Sequence, residues 1–136
     1  MERLINKIVD TLGGINDTAE VLDIDLYEVY QGGGGFDILS RYEWELAFNK
    51  HIWGRLNIDC KCFLVNAYEI IQGDTLTSVG DIDLSLCDGD TIIDTILKSD
   101  LSACAELADS YGSDIKDCFD CANMDGVYFI KYALEL

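Results

Sequence analysis

"RYEWELAF", residues 41–48, decides how the middle of this chain is read. Polar and apolar residues alternate at every step, so Tyr42, Trp44, Leu46 and Phe48 would share one face of a strand. A helix over 36–53 is the competing reading, because Leu39, Tyr42, Leu46 and Trp53 also line up at helical spacing. The unbroken alternation favours the strand. Downstream, Ile58, Cys60, Cys62 and Leu64 alternate with Asp59, Lys61 and Phe63, which predicts a second strand running on toward Ile71. "IDLSL" (82–86) predicts a shorter third strand. "GVYFIKYALEL" (126–136) is β-branched and aromatic and predicts a final one, with Val127, Phe129, Lys131 and Ala133 on one side.

Outside these segments the period is helical. Residues 2–12 carry Leu4, Ile5, Ile8, Val9 and Leu12 on one stripe, stopped by Gly13 and Gly14. Asn16 or Asp17 can cap a second helix reaching Leu22, and a third runs from Asp25 to Gln31. The glycines from 32 to 35 make a hinge or tight connection; they lack the following Lys and Ser/Thr of a phosphate loop. A turn at Asp88 and Gly89 leads into a helix capped at Asp90, with Ile92, Ile93, Ile96 and Leu97 on one stripe. Another starts at Asp100 and ends at Gly112, and "SDIKDCFDCA" adds one more turn or two. The expected fold is therefore α+β: N-terminal helices, a central antiparallel sheet, C-terminal helices and a final strand. With 136 residues the chain makes one domain, 1–136, comprising a helical N-terminal subregion (1–31) and an α+β body (36–136).

Charge is the unusual property. Twenty-six Asp and Glu against nine Lys and Arg leave a net of −17. From Ile8 to Ser40 there are seven acids and no base, and from Cys62 to Ile130 there are fourteen acids against Lys98 and Lys116. The stretch from Arg41 to Lys61 is nearly neutral. Both flanks repel anions, so direct nucleic-acid binding is disfavoured. Duplex DNA carries about one charge per 1.7 Å of axis, so seventeen net charges match roughly 29 Å of duplex. A globule of this length has a radius of gyration of about 14 Å, so its surface can rival DNA in charge density.

Residues that could carry catalysis or hold a metal do not form a convincing pattern. "CFDC" (118–121) has the spacing of half a zinc site, but Cys60 and Cys62 are separated by one residue and make a poor second half. Counted as a calcium loop from Asp81, the sixth position is Leu86 and the twelfth Ile92, so that match fails. His51, the only histidine, reads as a partly exposed loop residue without a nucleophile signature. No enzyme, cofactor or metal is expected. The start, "MERLINKIVD", lacks a signal peptide's long apolar run, and no stretch approaches a membrane span, so reduced thiols and a cytoplasmic location in a host cell are expected.

The first 31 residues resemble the helix-turn-helix of phage Cro-like repressors. Ala19 stands where that motif needs a small residue, Leu22 and Ile24 flank the turn, Val29 seals the second helix, and Asp23 takes the place of the usual Gly. The recognition surface, however, offers Asp25, Tyr27, Glu28, Tyr30 and Gln31, of which only Gln31 suits a base edge. In size and composition the chain also resembles the small acidic anti-defence proteins of phages, among them anti-CRISPR and anti-restriction DNA mimics. That resemblance implies an inhibitor that binds the basic nucleic-acid groove of a CRISPR effector or similar nuclease. The residues it assigns to the interface are Asp17, Glu20, Asp25, Tyr27, Glu28, Tyr30, Asp94, Asp100, Glu106, Asp109, Asp114, Asp117 and Asp120. An antitoxin or immunity protein against a basic toxin, and a helix-turn-helix regulator, are the alternatives.

Overall fold

Where strands were expected, the chain is helical. The computed structural model describes residues 14–29, 41–104, 116–117, 120 and 125–135. Among them the helices are α1 (Gly14–Leu22), α2 (Leu26–Val29), α3 (Arg41–Arg55), α4 (Ile58–Gln72), α5 (Gly89–Leu97) and α6 (Gly126–Glu135), with 3-10 turns at Val79–Asp81, Leu84–Leu86 and Ser102–Cys104. The described residues contain no strand; their one β-contact is an isolated antiparallel bridge between Asp100 and Asp125. The central sheet, the final strand and the α+β body are thus corrected to a helical assembly.

The physical reason is visible in α3. Trp44, Phe48, Ile52 and Leu56 recur every four residues and are all buried. Alternation over 41–48 fits either period, but only the helical one continues through Ile52 and Leu56. Tyr42, placed with Trp44 by a strand, instead turns outward and is 70% exposed.

Helix α4 runs through the core: Cys60 and the unbroken run from Cys62 to Ala67 are buried, so its sequence lacks a clean polar face. Its ends are well specified. The Asn57 side chain accepts from the Cys60 amide at 2.8 Å, and Gly73 (φ 79°) closes the C-terminus in the left-handed region. "IDLSL" forms a 3-10 turn with Asp83 accepting from the Ser85 amide.

Helix α6 overrides the β-propensity of its residues because Phe129, Ile130 and Ala133 bury one helical face. Asp125 starts it, its Oδ1 accepting from Val127 N at 2.9 Å and Tyr128 N at 3.3 Å. Gly126 permits close approach to the end of α5. A Cβ there would lie 1.7 Å from the Ile96 carbonyl oxygen.

The expected helix at 90–99 is present with its start moved: Asp88, not Asp90, is the cap, and Ile92, Ile93 and Ile96 are buried. α3 and α4 both pack on α5, and α6 packs on α1 and α5. One core cluster joins residues from Ile15 to Ala133, with Phe63 and Phe129 in ring contact at 5.2 Å.

At the N-terminal end the turn anticipated from the repressor-like pattern is present. Asp23 adopts φ 55°, Ile24 N donates to Ala19 O at 2.9 Å, and Ala19, Leu22 and Ile24 are buried. α1 begins at Gly14, ahead of the expected cap at Asn16 or Asp17. The expected helix at 2–12, the glycine run, and most of the segment from 105 to 124 lie outside the described residues.

Candidate functional site: an acidic cleft between two helices

Burial separates the carboxylates into two groups. Those on the described part of the chain are exposed, except Glu45, Glu69, Asp90 and Asp94, which are half-buried. Three of these four line one cleft. Glu45 and Asn49 lie one turn apart on α3, Asp90 and Asp94 one turn apart on α5, and the packing of the two helices makes them face each other across a space of about 250 Å³. Tyr42, Leu46 and Thr91 complete the lining. A second hollow of about 240 Å³ shares Glu45, Asn49 and Asp94 and extends toward α1, with Ile15, Thr18, Phe48 and Lys98 around it.

Two of the cleft's carboxylates, Asp90 and Asp94, have a lysine beside them. Lys98 holds Asp94 at 2.8 Å, an i,i+4 pair on the surface of α5. Lys50 reaches Asp90 only at 3.9 Å, with 63% of its own side chain exposed and Asp90 at 16%. Burial pushes the Asp90 carboxyl above its ordinary range; Lys50 opposes that shift and neighbouring Asp88 adds to it. Asp88 itself lies below its ordinary range, because the Thr91 hydroxyl and amide donate to it.

His51 lies on α3, which corrects its assignment to a loop. Its Nε2 is buried and without a hydrogen-bond partner among the described residues. Burial lowers its pKa, Arg55 lowers it further, and Glu28 acts in the opposite sense. Cys60, Cys62 and Cys104 are buried and Cys87 is half-buried; burial raises all four thiols, which disfavours the thiolate needed for nucleophilic chemistry. No group of three or more His, Cys, Asp or Glu side chains could hold a metal ion among the described residues. Cys118 and Cys121 lie outside them.

The residues assigned to an interface from sequence are dispersed. Asp17 and Glu20 are exposed on α1, Asp25 in the turn before α2 and Glu28 on α2, while Tyr27 lies within α2. Asp94 joins the cleft. Asp100 is exposed and its carboxylate accepts from the Ser102 amide at 2.9 Å. Asp117 and Asp120 are exposed helical residues; Tyr30, Glu106, Asp109 and Asp114 lie outside the described residues. Sequence reasoning missed Glu45, Asn49 and Asp90. Their signal was the i,i+4 spacing of 45 with 49 and of 90 with 94, which a helical reading of "RYEWELAF" would have placed on facing helices.

No family model, curated protein or solved structure matches the chain. None of its described helices is long and apolar enough to cross a membrane.

Proposed function

We propose that this chain is an acidic inhibitor that binds the basic nucleic-acid groove of a CRISPR effector or similar nuclease in the host cytoplasm and blocks DNA engagement. The observation that carries this reading is the placement of its charge. The chain carries a net of −17, and among the described residues exposed carboxylates lie on α1, α2, α3, α4 and α6 and in the loops between them. Such a surface attracts a basic cleft over long range and repels phosphate, so it favours a protein partner over a nucleic acid. The Cro-like turn at Asp23 is compatible with this, because Asp25 and Glu28 give the second helix of that pair an anionic surface.

The test uses the full chain immobilised at low salt and challenged in turn with a purified CRISPR effector, a basic toxin nuclease and duplex DNA. The proposal expects the effector to be retained, to elute as salt rises, and to lose DNA cleavage in proportion to the inhibitor added. Retention of the toxin alone would make the chain an antitoxin. Retardation of duplex DNA by the chain itself would make it a regulator, and either result overturns the proposal.

A further inference from the structure

The connection from Gly73 to Asp88, between α4 and α5, exposes apolar side chains that the core does not use. Single exposed apolar residues are ordinary on a protein surface. Here three of the six large ones exposed among the described residues fall within 76–86: Leu76 at 47%, Val79 at 50% and Leu86 at 83%. Ile82 and Leu84 of the same segment pack against the core, so its course is anchored without the other three. Hydrogen bonds anchor it as well. Thr77 donates its amide and its hydroxyl to Glu69 on α4, Asp83 accepts from the Ser85 amide, and Asp88 caps α5. The two ends of the connection meet at a hollow of about 350 Å³, lined by Asp74, Cys87 and Asp88 together with Val65 and Tyr68 of α4 and Ile92 of α5. Its volume is at the small end of the range for ligand pockets, about 300 to 1,000 Å³.

We propose that this connection and the hollow at its ends form a docking surface for a basic amphipathic segment of a protein partner, one that sets large apolar side chains between lysines or arginines. Charge complementarity selects that occupant. The connection carries Asp74, Asp81, Asp83 and Asp88, all exposed, and no lysine or arginine occurs in the sequence between Lys61 and Lys98. A purely apolar segment covering Leu76, Val79 and Leu86 would desolvate those carboxylates without pairing them, which costs free energy. A segment with cationic flanks pairs them as it covers the apolar side chains, and the same charges steer its approach. A second copy of the chain, with its own net of −17, is repelled. The surface deepens the inhibitor reading, on which the identity of the segment's owner as a nucleic-acid-binding protein rests.

The experiment titrates the isotopically labelled full chain with three synthetic peptides and follows backbone amides by NMR. The first places leucine and lysine at helical spacing, the second replaces its leucines with serine, and the third replaces its lysines with glutamate. The expected result is a saturable shift of amides in 74–88 and 65–69 with the first peptide alone. Leu86→Ser and Val79→Ser, both at exposed positions and each checked for an unchanged helical spectrum, should weaken that binding by about tenfold, the worth of covering one such apolar side chain. Asp74→Asn combined with Asp81→Asn should weaken it by about threefold and flatten its salt dependence. Tyr42→Ser, at an exposed aromatic on α3, should leave it unaltered. Equal shifts from the leucine and serine peptides, or shifts centred on α1, would overturn the surface. Dimerisation of the chain that Leu86→Ser abolishes would also overturn it, by assigning the surface to a second copy. Capture of the effector undiminished by Leu86→Ser and Val79→Ser would reject the surface while leaving the inhibitor reading intact. The leucine–lysine peptide bound at 74–88 of a chain that captures no effector would do the reverse.

Discussion

Replacing Gly126 with Ala is the sharpest probe of the helical assembly, because sequence propensity and packing give opposite answers. Ala is favoured over Gly in a helix by up to about 1 kcal/mol, so propensity alone expects stabilisation. The structure puts the new Cβ 1.7 Å from the Ile96 carbonyl oxygen, 2.7 Å from its carbonyl carbon and 3.2 Å from Ser99 O. These are backbone atoms, and no rotamer change can move them aside. Gly126 N also donates to Ser99 O at 3.3 Å, so a retreat of α6 from α5 stretches that bond. Overpacking of this kind costs about 1–3 kcal/mol. For a chain of this length the loss lowers Tm by roughly 4–10 °C. Gly54, near the end of α3, is the matched control: nothing lies within 4 Å of its added Cβ, so Gly54→Ala should hold or raise Tm. Thermal melts followed by far-ultraviolet circular dichroism read both variants. A Gly126→Ala protein that melts at or above the parent would mean that α6 does not begin against the end of α5.

The lone histidine permits a clean titration. Its lowered pKa predicts that the His51 imidazole resonance titrates below 6.5, with Glu28→Gln moving the midpoint further down and Arg55→Gln moving it up. Because the native state binds this proton less tightly than the unfolded chain, the His51 contribution is complete above pH 6.5 and is lost as pH falls from there through the folded pKa. A midpoint above 6.5 contradicts its burial. Asp125→Ala removes the acceptor for the Val127 and Tyr128 amides and should cost about 1 kcal/mol in a urea unfolding curve, with an unchanged m-value. Glu69 receives both the amide and the hydroxyl of Thr77, at 2.9 and 2.7 Å, and Asn66 Oδ1 also accepts from that amide. Glu69→Ala should therefore speed hydrogen exchange at Thr77 and its neighbours in 74–78 by about tenfold while leaving α5 amides unchanged.

What could be read from sequence alone depended on the length over which a pattern speaks. The stripe of Ile92, Ile93 and Ile96 and the turn at Asp23 are local, and both are present. "RYEWELAF" is too short to separate the two periods. The decision lies with Ile52 and Leu56, residues beyond the stretch, and with the core that buries them. α4 was obscured for a different reason: a helix buried on nearly every side has no polar face, so Cys60, Cys62 and Leu64 show alternation as readily as helical spacing. In α6 valine, tyrosine, phenylalanine and isoleucine favour a strand locally, while contacts with α1 and α5, which the sequence does not display, favour the helix. Residues 45 and 49 face residues 90 and 94 only when both segments are helical, so the cleft is not legible while "RYEWELAF" reads as a strand.

The two groups of carboxylates also differ in what they can contribute to binding. Exposed charges in water interact weakly and are screened further by physiological salt, so the exposed carboxylates act on a partner mainly by steering its approach. Two charges at 4 Å interact by about 1 kcal/mol in water but about 4 kcal/mol at the effective dielectric near a protein surface. Asp90, with 16% of its side chain exposed, sits nearer the second regime. Surface charge of this kind sets how fast a basic partner arrives, while a desolvated pair in a cleft sets how long it stays. The helical fold therefore sets three of the half-buried carboxylates of this acidic chain where α3 meets α5.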